Sequence, residues 1–325
     1  MLELGQFGPE MHAELAGALE ESKVDALYAC GPLMENLWNK TKGSRRGHYA
    51  EKSELLTEPL ISSLKAGDVV SFQLPNGWEA VVISLATAMT GLVVNPIVPI
   101  NRDAEVGHIL HDAATRVMVI PAQFRTFDYV SMMARLRGGA PKLKAILVTG
   151  MPVEGCPFDL FDEVLEKATP LIQPVAVDPD AVKLLMYTSG TTGRPKGVML
   201  SHRNFTSLLA KLAAVFDIDK HDGLLSVLPL HHTFEFTAGL LMPLMRGAQV
   251  TYLNEVNQDG LQAAFKDAHV TGMVGVPALW QLLERRIFQQ VRERGAAAET
   301  AFDLALAFNK MLGEKLGADV GKVLF

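Results

Sequence analysis

Cysteine is almost missing from this chain of 325 residues: Cys30 and Cys156 are the two it carries. That excludes a disulfide-stapled scaffold and fits a reducing, cytoplasmic setting. Basic charge is not in excess, with 30 Lys and Arg against 36 Asp and Glu, so the footprint of a nucleic-acid binder is lacking. The first residues hold no basic segment followed by an apolar core, and no signal peptide is read there. One stretch, residues 80–100, is apolar enough to raise a membrane span. Asn95, Pro96 and Pro99 interrupt it and Gly91 marks a helix end, so a buried helix followed by a buried strand is expected, with no transmembrane segment. No short-period repeat or low-complexity segment stands out, and the pattern GxxxxGK[ST] does not occur. His202, His221 and His269 have no partners at ligand spacing, so no protein metal site is expected. The length suits two domains or one large one.

What is present is concentrated in Tyr187-Thr-Ser-Gly-Thr-Thr-Gly-Arg-Pro-Lys196-Gly197, between an apolar run and a helix expected to begin near Ser201. Glycines let a backbone approach a phosphate and adopt positive φ. Consecutive N–H groups make an anion-binding concavity, to which hydroxyls add donors. Lys196 adds a mobile point charge. Thr188, Ser189, Gly190, Thr191, Thr192, Gly193, Lys196 and Gly197 are therefore the candidate triphosphate grip.

Around that loop, apolar runs at 69–72, 117–120, 145–148, 184–187, 224–228, 250–253 and 272–276 alternate with helical patterns at 79–90, 104–113, 203–216 and 260–268. Ser201 is a sound N-cap, with Phe205, Leu208, Leu209, Leu212 and Phe216 as the buried stripe. Pro277 opens another helix with the stripe Leu279, Leu282, Leu283 and Ile287. The pattern predicts an α/β fold of layered, partly parallel sheets with flanking helices. Residues 169–179, rich in proline, form the best linker candidate.

A second polar cluster, Leu228-Pro-Leu-His-His-Thr-Phe-Glu-Phe236, follows an expected strand, where ligands of α/β folds tend to bind. His231 and His232 are its chemical groups, with Phe234 and Phe236 as walls. Glu235 either orients a histidine or takes a solvated or capping role. The third cluster is Met273-Val-Gly-Val-Pro-Ala-Leu-Trp-Gln281. There Gly275 and Ala278 beside Trp280 shape an apolar slot, with plain core packing of Trp280 the alternative. Arg285, Arg286, Arg292 and Arg294 read as a solvated helix face, and peripheral membrane contact is the sharper alternative.

The string at 187–197 closely resembles the signature loop of the adenylate-forming superfamily, which includes acyl-CoA synthetases, luciferases and peptide-synthetase adenylation domains. The clusters at 228–236 and 273–281 look most like bacterial medium- to long-chain fatty acyl-CoA synthetases. The resemblance implies ATP, Mg²⁺ and coenzyme A as reactants. A fatty carboxylate would attack the α-phosphate to give acyl-adenylate and pyrophosphate, and a thiol would then displace AMP. It implies catalytic roles for His232 and Lys196, with His231, Phe234, Gly275, Ala278 and Trp280 around the carboxylate substrate.

Residues 1–66 resemble instead the C-terminal domain of the muramyl-peptide ligase that adds D-alanyl-D-alanine to the cell-wall precursor. The shared features are Met1-Leu-Glu-Leu-Gly5, His12 and Cys30-Gly-Pro-Leu-Met34, with helical patterns near 11–19 and 53–64. His12 is read as a surface histidine and Cys30 as a small buried residue. The two resemblances meet at Gly67-Asp-Val-Val70. This predicts a small α/β fragment, 1–66, ahead of an incomplete adenylate-forming N-terminal domain, 67–325. A fused reading frame and a divergent synthetase are the two explanations. The family's Tyr-Gly-x-Thr-Glu stretch does not occur in the 325 residues. Little ligase turnover is therefore expected of the chain by itself, and a non-catalytic nucleotide-binding protein is the competing class. The muramyl ligase's own ATP loop is not found, so that activity is not expected.

Overall fold

The computed structural model describes Leu27–Cys30, Arg46–Ala50 and residues 64–151, 154–168, 173–188, 194–253 and 257–316. The helix expected near 11–19, all but the last residue of the one expected over 53–64, His12 and the burial of Cys30 lie outside those residues. The chain divides into two compact units, Met1–Val274 and Gly275–Phe325.

In the first unit β1 (Leu27–Cys30) pairs in parallel with β2 (Arg46–Ala50). Strand and helix then alternate as the periodicity predicts: β3 (Val69–Phe72), α1 (Trp78–Thr90), β4 (Val93–Pro96), α2 (Asp103–Asp112) and β5 (Val117–Pro121). A short hairpin of β6 (Gln123–Phe124) and β7 (Phe127–Asp128) leads into α3 (Tyr129–Leu136), β8 (Ala145–Thr149), β9 (Asp159–Leu160) and α4 (Phe161–Lys167). Next come β10 (Val182–Thr188), β11 (Lys196–Ser201) and α5 (His202–Val215). Seven strands make one sheet, in the order β11-β10-β4-β3-β5-β8-β9. Every pairing in it is parallel except β10 with β11.

The central strands are apolar on both faces because both are covered. In β5, Val117 and Val119 join one core with Ile83, Phe161, Phe205 and Phe236. Met118 and Ile120 point the other way, into a core with Ile109, Tyr129 and Met132. Asn95 and Pro96, read as interruptions of an apolar run, lie inside β4 and are buried. Asn95 is tolerated because its amide donates to Ser71 Oγ at 2.9 Å, and Ser71 in turn meets Thr115 Oγ1 at 2.7 Å. α1 ends where expected, at Gly91 with φ +73°, a conformation that favours glycine.

After α5 come β12 (Gly223–Ser226), a bent helical segment over 233–246, β13 (Gln249–Tyr252), α6 (Gln258–Asp267) and β14 (Gly272–Met273). β12 lies between β13 and β14, parallel to both. The last strand covers only part of the expected 272–276. The second unit contains α7 (Pro277–Glu293) and α8 (Ala296–Leu316), whose Phe288 and Phe302 rings meet edge to face at 5.4 Å.

Two helix stripes are narrower than the periodicity suggests. On α5, Phe205 and Leu209 are buried, but Leu208 and Phe216 are exposed. On α7, Leu279 is buried while Ile287 is exposed. Among the described residues no helix is long and apolar enough to cross a membrane.

Candidate active site

The glycine-rich string does not pass straight from a strand into a helix. Residues 196–201 form β11, which returns antiparallel along β10 as the second leg of a hairpin. Its register sets Thr188 opposite Lys196 and Tyr187 opposite Gly197. Ser189, Gly190, Thr191, Thr192 and Gly193 lie outside the described residues. Thr188 and Lys196 are both exposed at the carboxyl end of β10, available to a ligand. Gly197 serves the stem: a Cβ there would sit 2.9 Å from Leu185 Cδ1 and 3.2 Å from Tyr187 Cζ. Its want of a side chain lets the Tyr187 ring cross the hairpin. The phenol donates to Asp112 Oδ2 at 2.6 Å, and burial together with that carboxylate pushes its ionisation well above the ordinary range. α5 begins as expected, with Ser201 Oγ accepting from Asn204 N and Asn204 Oδ1 accepting from Ser201 N.

The histidine segment leaves the carboxyl end of β12. It is tied to the seven-stranded sheet by Asn76, in the turn after β3. Asn76 Nδ2 donates to Leu228 O at 2.7 Å and its Oδ1 accepts from Leu230 N at 2.9 Å. Because β3 and β10 run the same way in that sheet, this clamp holds the histidines toward the edge that delivers Thr188. His231 lines a cavity of about 280 Å³ with Asn76, Ile100, Phe124, Arg125 and Leu253. Burial, assisted by neighbouring His232, depresses its pKa to about 4, so the ring is neutral at physiological pH. His232 is exposed and caps the turn that follows, its Nδ1 accepting from Phe234 N at 3.3 Å. In the neutral ring the proton is thereby assigned to Nε2, which becomes a donor facing outward. Phe234 is exposed, whereas Phe236 is fully buried against Phe205.

Glu235 corrects both of its simpler readings, for it neither solvates nor caps. It is fully buried, and Ser226 Oγ donates to its Oε1 at 2.5 Å. Its Oε2 has no hydrogen-bond partner. Burial lifts its pKa to about 7, against the Ser226 bond, which lowers it. Gly239 makes room for it, since a Cβ at 239 would overlap Glu235 Oε1. The backbone widens to a π-helix over Phe236–Leu241, an arrangement frequent at functional sites. A second buried charge, Lys183 in β10, has no hydrogen-bond partner and lies 5.6 Å from the Phe236 ring centroid. Burial lowers its pKa to about 8.

The third cluster spans the division of the chain, with Met273 and Val274 ending the first unit and Gly275–Gln281 opening the second. There Gly275 packs beneath the Trp280 indole, to which a Cβ would approach within 2.9 Å, while Ala278 and much of Trp280 are exposed. Arg285, Arg286, Arg292 and Arg294 are exposed on or just after α7. Among the described residues no group of three His, Cys, Asp or Glu side chains is arranged to hold a metal ion. A larger apolar groove of about 510 Å³, lined by Val175, Val177, Val182 and Met199, reaches Val69 and Val93 at the amino ends of β3 and β4, away from the hairpin turn.

Asn76, His108, Asp112, Ser226 and Lys183 were not singled out from the sequence. Asn76, His108 and Asp112 have partners far along the chain, and no local pattern marks any of the five.

A family described as AMP-binding enzyme matches residues 47–324, starting ahead of the boundary expected at 67. The medium-chain fatty-acid–CoA ligase of Escherichia coli (strain K12) is 28% identical over 225 residues, 69% of this chain and 40% of that protein. A 4-coumarate–CoA ligase of Humulus lupulus is 30% identical over 223 residues, 66% of this chain and 39% of the relative. The chain thus spans about 40% of the length of these curated relatives. Among solved structures, a long-chain-fatty-acid–CoA ligase of Archaeoglobus fulgidus aligns with TM-score 0.61 and 22% identity over 85% of this chain and 53% of that one. ATP-bound MatB from Rhodopseudomonas palustris aligns with TM-score 0.61 and 22% identity over 83% and 50%. These two show the likeness of fold.

Proposed function

The chain belongs to the AMP-binding enzyme family, and from that premise we propose that its residues serve ATP-dependent activation of a fatty carboxylate. In that reaction a carboxylate oxygen forms a bond to the α-phosphorus as the bond to pyrophosphate breaks. A coenzyme A thiol then takes the acyl group and AMP leaves. The physical obstacle is repulsion between an anionic nucleophile and a polyanion, which fixed donors and positive charge offset. Lys196 and the Thr188 hydroxyl supply charge and donor for the phosphates. The outward Nε2–H of His232 is the donor for the carboxylate, and neutral His231 can approach an apolar substrate without a charge of its own.

One observation carries the reading. Asn76 fastens the histidine segment to the carboxyl edge of the sheet at which β10 presents Thr188 opposite Lys196. The carboxylate class is the finer part of the proposal, since relatives include ligases named for medium-chain fatty acids, sulfoacetate and 4-coumarate. Aliphatic and aromatic walls beside His231 favour an apolar tail. Ser189, Gly190, Thr191, Thr192, Gly193 and Gly197 complete the proposed grip, Phe234 is assigned to the acyl group, and Gly275, Ala278 and Trp280 are assigned to an apolar slot of the second unit.

Calorimetric titration with ATP tests the core of it. Removing the lysine charge in Lys196→Ala should weaken binding by about tenfold, and unchanged affinity would overturn the reading. Pyrophosphate–ATP exchange with decanoate or palmitate, compared with sulfoacetate and 4-coumarate, tests the carboxylate class. Exchange that is no faster with the fatty acids than with sulfoacetate or 4-coumarate would overturn the fatty class and leave the ATP site standing.

A further inference from the structure

We infer that α2 braces the phosphate hairpin, with His108 and Asp112 acting as positioning residues for Thr188 and Lys196. The inference rests on the proposed ATP site and adds two residues that need not touch the nucleotide. His108 and Asp112 are four residues apart and so share a face of α2. From that face His108 Nε2 lies 3.1 Å from Pro195 O, and Asp112 Oδ2 accepts the Tyr187 phenol at 2.6 Å. A carbonyl can only accept, so His108 Nε2 carries the proton in this contact. The His108 and Tyr187 rings also meet edge-on, with centroids 6.4 Å apart.

Each braced residue immediately precedes a site residue: Tyr187 comes before Thr188, and Pro195 before Lys196. The brace therefore grips both legs of the hairpin at the level where the turn begins. It has mechanical work to do, because among the described residues β11 is an edge strand with β10 as its one sheet neighbour. At its Lys196 end α2 adds a hold on this leg beside the ladder with β10. Pro195 suits the contact, since a proline offers a carbonyl but no N–H to compete for a partner. Gly197 completes the device, because a side chain there would displace the Tyr187 ring from its path to Asp112. Neither α2 residue is deeply buried, so replacing them perturbs the hairpin more than the core.

The test is ATP titration of the full chain and four variants, with thermal unfolding as the control for folding. His108→Ala and Asp112→Ala should each weaken ATP binding roughly fivefold, the loss expected of one hydrogen bond. His108→Gln keeps a donor and Asp112→Asn keeps an acceptor, so both should stay within about twofold of wild type. Wild-type affinity in both alanine variants would overturn the brace. So would equal losses in the conservative and alanine variants, which would indicate packing rather than hydrogen bonding. If the wild-type chain binds no ATP, the reading of the hairpin itself fails and takes the brace with it. That outcome is distinct from ATP binding that ignores His108 and Asp112.

Discussion

Replacing Glu235 by glutamine should stabilise the protein at pH 7.5 relative to wild type and change little at pH 5. Glu235 is fully buried, with one oxygen bonded to Ser226 and the other without a partner. Its pKa rises from 4.5 to about 7 on folding. The native state thus keeps a proton that the unfolded chain releases. The associated stability is fully present below pH 4.5 and is lost as pH rises through about 7. Between pH 5 and 7.5 that loss comes to about 2 kcal/mol. The total stability curve conceals it. His231, depressed from 6.5 to about 4, binds its proton less readily in the folded state, so its contribution grows over the same interval by about 2 kcal/mol. Only the difference between E235Q and wild type isolates the carboxyl. Glutamine can still accept from Ser226, but its amide N–H groups would need partners, a constant cost of about 1 kcal/mol. The curves should therefore meet near pH 5 and separate by about 2 kcal/mol at pH 7.5. Urea unfolding followed by tryptophan fluorescence measures this, and Lys183, common to both proteins, cancels in the difference. Parallel curves across the interval would refute the assignment of a buried, proton-holding Glu235.

Lys183→Met should stabilise the fold by about 2 kcal/mol at pH 7, because it removes a buried ammonium whose pKa has fallen from 10.5 to about 8. The gain should shrink as pH rises from 8 toward 10.5, and a pH-independent gain in denaturant unfolding would contradict this. Gly239→Ala should cost roughly 1–3 kcal/mol, since its Cβ would collide with the Glu235 carboxyl. Pairing it with Glu235→Ala should recover much of that loss in the same unfolding experiment, and strictly additive effects would argue against the contact. Asn76→Ala removes two bonds to the histidine segment and should cost about 2 kcal/mol. It should also let water reach His231 and raise its titration midpoint. Histidine ring NMR reads that midpoint, and an unmoved value would count against the clamp.

The parts legible in the sequence are those with local causes. β3, β5 and β8 read as strands because two-sided burial makes nearly every position apolar, Ser71 and Thr149 being the polar exceptions. The end of α1 at Gly91 and the start of α5 at Ser201 are written in single residues whose backbone chemistry permits few alternatives. β11 was not legible. Lys196–Ser201 is a strand because β10 lies beside it, and Gly197, which reads as loop chemistry, sits inside the ladder. The α5 and α7 stripes were drawn too wide because periodicity marks which residues share a face, while burial depends on what covers that face.

The same division runs through the candidate site. Thr188, Lys196 and His232 announce themselves, since groups suited to phosphate and carboxylate must sit on short polar strings to reach a ligand together. The groups that hold them follow a different rule, because any side chain with a donor or acceptor at the right place will serve. Asn76 reaches across 152 residues to Leu228, and His108 across 87 to Pro195. Nothing near either residue requires an asparagine or a histidine. Glu235 lies between the two cases: it belongs to the legible string, yet its burial depends on Ser226 in β12 and on the bare backbone of Gly239. Its proton affinity is therefore a property of three elements packed together, which is why a reading of 228–236 alone left its role open.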